Sequence, residues 1–136
     1  MAHLPTTLLE HRLPGQPHFD WLLASNPTGP LWTVRVPWPS QRWLARGRLD
    51  LTVLPLHRRH YLDYEGPVGG NRGDVRRIDS GWHHPRLWTH ERIVTLVKMN
   101  HCFAVVDMHE LHHEKWIAQV TPPDESCCSF LNSLQL

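Results

Sequence analysis

Proline and glycine interrupt this chain so often that they limit its fold more than any other feature. The 136 residues include 12 prolines and 8 glycines, together with 7 tryptophans. This composition suits a compact β-rich domain with many turns better than a helical bundle. Between the interruptions, short segments of alternating character recur at roughly 8- to 12-residue intervals, as in antiparallel barrels and sandwiches. We therefore predict an all-β fold: a single antiparallel barrel-like core with one or two short helical turns.

The same segmentation predicts the individual elements. Ser40 is placed to cap a short helical turn at 40–46, and the residue types at 79–81 predict a turn. Segment 48–56 is apolar but contains a proline, and segment 57–64 is expected to be irregular. The predicted strands are 6–11, 18–24, 31–36, 74–78, 92–98, 102–108 and 115–120.

The length of the chain fits one domain, 1–136, with its core at about 5–121 and a Pro-, Ser- and Cys-rich tail at 122–136 that is expected to be mobile. The formal net charge is +1, so there is no global electrostatic case for nucleic-acid binding. No segment resembles a signal peptide or a membrane span, and the three cysteines are unevenly placed without a CxxC motif. A reduced, cytoplasmic protein with no membrane association is the expectation.

A histidine- and carboxylate-containing stretch near the amino terminus has the residue types of a metal site. His11, His18 and Asp20 lie within ten residues of one another. Alternation along a strand places His18 and Asp20 on the same face. Imidazole and carboxylate together suit a divalent ion, with Mn²⁺ the expected one and Zn²⁺ or Co²⁺ as alternatives. The competing interpretation is that these are polar residues at a strand edge, since 12 histidines make chance pairs common.

A second stretch has the residue types of a phosphate site. His60 and Tyr64 are hydrogen-bonding groups, and Arg58 and Arg59 add positive charge beside them. A metal next to such a group of donors is the layout of a phosphoesterase site. The alternative for Tyr64 is a packed side chain whose hydroxyl is bonded to the backbone.

Taken together, these stretches resemble the 3′-phosphoesterase domain of bacterial ligase D, and most of all its short stand-alone relatives. The resemblance rests on the His11 and His18-Phe-Asp20 pattern, on the following Trp32 to Pro37 segment, and on the sequence YLDYEGPV at 61–68 with its glycine-rich continuation. It covers roughly 5–121, almost the whole chain.

The resemblance implies a metal-dependent phosphoesterase that removes phosphate or a ribonucleotide from nucleic-acid 3′ ends, with a DNA ligase or polymerase as a partner. It implies that His11, His18 and Asp20 hold the metal, and that His60 and Tyr64 are catalytic. The residues expected to bind the phosphate are His60, Tyr64, Arg48 and Arg58.

One departure from the family pattern concerns the phosphate. The ligase-associated domain has an arginine two residues after the metal-binding aspartate, and this chain has Leu22 there. Losing a charged donor from such a site typically costs on the order of 2–4 kcal/mol of transition-state stabilisation. The alternative function is therefore a non-catalytic metal- or nucleic-acid-binding module that kept the barrel. The arginines that can replace the missing one are Arg35, Arg48, Arg58 and Arg59.

A second set of histidines consists of His83 and His84 and, further along the chain, His109, His112 and His113. The later segment has the pattern of a strand and a turn, where the four-residue spacing of a helix face does not apply. Solvated surface is the default expectation for these side chains, with adventitious metal binding as the alternative.

Overall fold

The computed structural model describes residues 3–14 and 16–124, which form a nine-stranded sheet with one short α-helix. Helix α1 (Trp43–Arg46) follows a 3-10 turn at Ser40–Arg42, and another 3-10 turn covers Arg59–Leu62. The strands are β1 (Leu4–Arg12), β2 (His18–Ala24), β3 (Leu31–Val36), β4 (Arg48–His57), β5 (Gly66–Pro67), β6 (Asp74–Trp88), β7 (Arg92–Met99), β8 (Phe103–His112) and β9 (Lys115–Thr121).

Eight of these strands close into an antiparallel barrel in the order β1-β2-β3-β4-β9-β8-β7-β6. Strand β6 closes the ring because it pairs with both β1 and β7. The short β5 pairs with the start of β6. The predicted all-β barrel with few helical turns is therefore confirmed. Within the described ranges, no helix has the length and apolar character needed to cross a membrane.

Alternation along β2 separates the barrel interior from an outer face. Phe19, Trp21 and Leu23 pack in the interior cluster, and Trp21 and Leu23 are fully buried there. The intervening Asp20 and Leu22 face the other way, and Leu22 belongs to a second apolar cluster. Burying a large apolar side chain contributes about 1.5–3 kcal/mol, so this two-sided burial fixes the register of β2.

The second cluster is formed where the segment after β4 folds over the outer face of β1 and β2. Leu9, Leu22 and Val75 are buried beneath it. Tyr61 and Tyr64 pack on this cluster from the covering segment, which begins in the 3-10 turn. The segment after β4 thus covers part of the outer face of the barrel, and it borders the site described below.

Two local predictions were wrong, and both involve Asp79. Residues 79–81 lie inside β6 instead of forming a turn, because pairing with β1 and β7 overrides the turn preference of their residue types. Ser40 does not cap the helical turn: its hydroxyl donates to the buried Asp79 carboxylate at 2.5 Å. The backbone N–H groups of Asn100 and His101 also donate to Asp79, so this carboxylate joins three parts of the barrel end.

The predicted mobile tail falls largely outside the described residues, which end at Asp124. Cys127 and Cys128 lie there too. Cys102 is a buried free thiol, and burial raises its pKa to about 12. A thiol held in this neutral form is a packing residue and a poor metal ligand.

Candidate metal centre and cleft

Strand pairing brings the three predicted ligands together. His11 on β1 lies directly opposite His18 on β2, and Asp20 follows two residues later on the same outer face. His11 Nδ1 lies 3.7 Å from one Asp20 carboxylate oxygen, and His18 Nε2 lies 3.5 Å from the other. All three ligand atoms fall within 4.8 Å of one another. Two ligands of one ion, each about 2.1 Å from it, lie at most about 4.2 Å apart. A small inward movement therefore allows this cluster to hold a divalent ion.

Hydrogen bonds determine which ring nitrogen of His11 and of His18 has a lone pair available for a metal ion. His11 Nε2 lies 2.7 Å from the Arg72 carbonyl oxygen, which can only accept, so His11 carries its proton on Nε2 and leaves Nδ1 toward Asp20. His18 Nε2 lies 3.1 Å from Arg35 Nη2, which can only donate. His18 Nε2 is therefore unprotonated and accepts this hydrogen bond with its lone pair. Orientation by an outer partner such as the Arg72 carbonyl is typical of histidine ligands.

The electrostatics of the cluster also favour a cation. Burial lowers the pKa of the His18 imidazole, with Arg35 and His11 acting in the same direction and Asp20 opposing them. His18 is therefore neutral at physiological pH, as a metal ligand must be. The Asp20 side chain is only 4% exposed, and its buried Oδ1 has no hydrogen-bond partner in the described residues. A buried carboxylate oxygen without a donor is costly unless a cation satisfies it.

A cleft of about 360 Å³ begins at this cluster. His11 and Asp20 line it together with residues of the covering segment, whereas His18 lines a neighbouring cleft. That volume falls within the range of small-molecule sites. The side chains that give the cleft its mixed character are apolar, aromatic and cationic. They include Leu9, Leu56, His57, Arg58, Tyr61, Val68, Arg72 and Val75.

The predicted pair His60 and Tyr64 lies in the covering segment, with ring centroids 5.5 Å apart, but neither residue lines the cleft. The Tyr64 hydroxyl donates to the Pro67 carbonyl. His60 is exposed and stacks on Tyr61 at 4.1 Å between ring centroids. Tyr61 is the aromatic residue of this segment that reaches the cleft. The catalytic and phosphate-binding roles expected for His60 and Tyr64 stay predictions.

The arginines named as phosphate ligands are distributed unevenly. Arg58 lines the cleft, and its guanidinium lies 5.9 Å from the centroid of the Tyr61 ring. Arg48 begins β4 and pairs with Asp50 at 3.8 Å, away from the cleft. Leu22, which stands where the ligase D phosphoesterase domain has arginine, is fully buried in the outer apolar cluster. An arginine at that position would be buried under the covering segment, so leucine fits the local packing here.

Sequence reasoning missed Arg72 and Tyr61. Arg72 contributes through its backbone carbonyl, and Tyr61 points into the cleft because the 3-10 turn changes which side chains share a face. The available signal for Arg72 was the glycine after it. Gly73 has φ +77°, and a Cβ there would collide with the Arg12 carbonyl, so the turn that presents Arg72 to His11 needs glycine.

Comparison of the chain with protein-family models and with curated proteins finds no match.

Proposed function

We propose that this protein is a metal-dependent phosphoesterase that removes phosphate or a ribonucleotide from a nucleic-acid 3′ end or a related phosphate ester. The observation that carries the proposal is the cluster of His11, His18 and Asp20, in which the buried Asp20 Oδ1 lacks a hydrogen-bond donor among the described residues. Two of its members, His11 and Asp20, line a cleft that also contains arginine side chains. A bound Mn²⁺-like ion would supply a Lewis acid for a phosphoryl oxygen.

The cleft gives the substrate its second point of attachment. Arg58 and Arg72 line it and provide positive charge for phosphate groups, and Tyr61 provides a ring on which a base can stack. The protein is nearly neutral overall, so binding through this local charge fits a nucleic-acid end better than a long duplex. A DNA ligase or polymerase that uses the processed end is the partner class that follows from this reaction.

The first test of this proposal is His18→Ala, with His90→Ala as a matched control. His90 is a surface histidine whose side chain is 89% exposed. We expect the parent protein and the control to bind one Mn²⁺ and to release phosphate from a 3′-phosphorylated oligonucleotide. His18→Ala should lose both properties while keeping its circular dichroism spectrum. If His18→Ala binds metal as tightly as the parent, the site lies elsewhere, and His109, His112 and His113 become the next candidates.

The alternative is a binding module without turnover, and two observations favour it. The family arginine is replaced by the buried Leu22, and the Tyr64 hydroxyl is engaged by the Pro67 carbonyl. Under this alternative, the protein binds one metal ion and a 3′-phosphorylated end, but no phosphate is released over many enzyme equivalents. The same assay therefore separates the two functions.

A further inference from the structure

Arg35 lies closer to the metal-ligand cluster than the sequence pattern indicates. It sits on β3, directly opposite Asp20 on β2, so both side chains project from the same outer face. Its Nη2 lies 3.1 Å from His18 Nε2, and its Nε lies 3.9 Å from Asp20 Oδ1. The Arg35 side chain is 46% exposed, so it is free to change rotamer toward solvent.

The Arg35 guanidinium occupies the direction in which a metal ion would bind His18. The lone pair of His18 Nε2 accepts from Arg35, and the same lone pair is the one that faces Asp20. A metal ion and the guanidinium cannot both use it. Metal entry must therefore displace Arg35 from His18, and the displaced cation stays within a side chain's length of the ion.

Two neighbouring cations are costly unless an anion lies between them. A phosphate oxygen bound to the metal places further oxygens beside the site, and a guanidinium can donate two parallel hydrogen bonds to them. The closeness of Arg35 to the metal site therefore opposes metal binding in the absence of phosphate and favours it when phosphate is present.

We propose that Arg35 is the arginine that binds phosphate directly beside the metal, in addition to the cleft arginines, and that it makes metal and phosphate bind cooperatively. Metal binding releases Arg35 from His18, and the released guanidinium binds the phosphate that the metal also binds. This inference rests on the proposed function, because it takes the cluster of His11, His18 and Asp20 as the metal site. It assigns the role of the missing family arginine to a neighbouring strand.

The other arginines considered for that role have different surroundings. Arg59 donates to the Asn26 and Gly29 carbonyls at 3.1 and 3.2 Å. Arg48 pairs with Asp50, and Arg58 lies over the Tyr61 ring on the covering segment. Of these candidates, only Arg35 contacts the ligand cluster in the described structure.

The test is a Mn²⁺ titration followed by electron paramagnetic resonance, in which bound Mn²⁺ loses the signal of the free ion. The titration is run with inorganic phosphate or with chloride at equal ionic strength. The proteins are the parent, Arg35→Gln, Arg35→Lys and the control Arg92→Gln. Arg92 is a matched surface arginine on β7 that pairs with Asp107 at 2.7 Å. Melting curves confirm that each variant is folded.

We expect phosphate to tighten Mn²⁺ binding to the parent and to Arg92→Gln by roughly 5- to 150-fold, the usual range of coupling between sites. Arg35→Gln should bind Mn²⁺ at least as tightly as the parent in chloride, because a competing cation is removed, and should lose most of the phosphate effect. Arg35→Lys should retain part of it, since the charge remains but the planar fork is lost.

Weaker Mn²⁺ binding by Arg35→Gln in chloride would overturn the inference, since it would make Arg35 a support of the metal site. A phosphate effect that persists in Arg35→Gln would also overturn it. If the parent binds no Mn²⁺, the metal site and with it the proposed function fail. If the parent binds Mn²⁺ without any phosphate effect, the cooperative role of Arg35 alone fails.

Discussion

At the scale of single residues, Asp20 is a buried carboxylate with one oxygen, Oδ1, that accepts no hydrogen bond from the described residues. A carboxylate with a purely structural role normally has donors for both oxygens. Asp79 shows the contrast. It is equally buried, but it accepts from Ser40 and from the backbone of Asn100 and His101. Asp20 Oδ1 has no such donor among the described residues. A fully satisfied carboxylate stabilises a fold, whereas Asp20 Oδ1 has only the Arg35 guanidinium nearby as a donor in the described structure, 3.9 Å away, and could hold a cation together with the two histidines.

Asp20→Asn tests this distinction. The amide keeps the volume but removes the charge, so Mn²⁺ should no longer raise the melting temperature. For the parent, metal at 100 times its Kd should contribute about 2.7 kcal/mol of stability. Without metal, we expect the free energy of unfolding of Asp20→Asn to stay within about 1 kcal/mol of the parent value. A metal-dependent rise in the variant equal to that of the parent would show that Asp20 is not a ligand.

The expectation of a solvated surface was wrong for His83 and His84, which are both buried in β6. The burial of His83 predicts a loss of stability in acid. Its Nε2 donates to the Ala24 carbonyl and its Nδ1 accepts from the Thr95 hydroxyl, so the neutral ring is satisfied. Burial lowers the pKa of His83 from 6.5 to about 4. Between those values the unfolded chain binds a proton that the folded chain does not. Stability from this group is therefore complete above pH 6.5 and declines as pH falls toward 4, by about 3 kcal/mol in total.

His83→Gln provides the comparison, because glutamine keeps one donor and one acceptor but does not titrate. Urea unfolding at several pH values between 7 and 4 measures the free energy of unfolding of both proteins. The difference between parent and variant should shrink or reverse as pH falls. A difference that is constant across this pH range would mean that His83 does not carry the acid sensitivity.

At the scale of elements, the β1–β2 hairpin and the glycine-rich turn before β6 together define the site. The hairpin register sets His11 opposite His18, and the turn presents the Arg72 carbonyl to His11. The position of His11, one of the predicted metal ligands, thus depends on a loop some 60 residues away. Changes in that loop should affect metal binding even though its side chains are not ligands.

Gly73→Ala tests this dependence, with Gly69→Ala as its control. A Cβ at Gly73 collides with the Arg12 carbonyl and requires φ near +77°, whereas a Cβ at Gly69 meets nothing within 4 Å. We expect Gly73→Ala to cost on the order of 1–3 kcal/mol of stability and to weaken Mn²⁺ binding. Gly69→Ala should change neither quantity appreciably. Equal metal affinity in a folded Gly73→Ala protein would show that the Arg72 carbonyl does not orient His11.

The sequence predicted those features that depend on local pattern. Strands β2 and β3 lie where alternation and flanking turns predicted them, at 18–24 and 31–36. The length of β6 was missed, because Asp79, Ser80 and Gly81 favour turns locally, and only pairing with β1 and β7 makes them extended. His18 and Asp20 share a face by local periodicity. The approach of Arg35 depends on the β2–β3 register, which the pattern of residue types does not reveal.

At the scale of the whole molecule, a nearly neutral barrel carries the candidate metal cluster on its outer face. Its many histidines make its net charge depend on pH. The formal net charge is +1 with histidines neutral, and there are 12 of them. Histidine is the side chain that changes charge in the physiological pH range, so the net charge of a histidine-rich chain rises as the pH falls. Protons also compete with metal for imidazole ligands in general, so a metal bound by histidine is released as the pH falls. We therefore expect acidification to strengthen non-specific binding of nucleic acid and to weaken binding of the metal ion.

We expect the affinity for a random-sequence duplex to rise between pH 7.5 and pH 6.0 at constant salt, because added positive charge strengthens non-specific contacts with phosphate. Over the same interval Mn²⁺ binding should weaken. Fluorescence anisotropy of a labelled duplex and Mn²⁺ resonance measure the two quantities on the same samples. The duplex affinity at pH 6.0 should also fall steeply with added salt. If both affinities change in the same direction, the surface histidines do not control nucleic-acid binding independently of the metal site, and duplex contact would then pass through the metal centre itself.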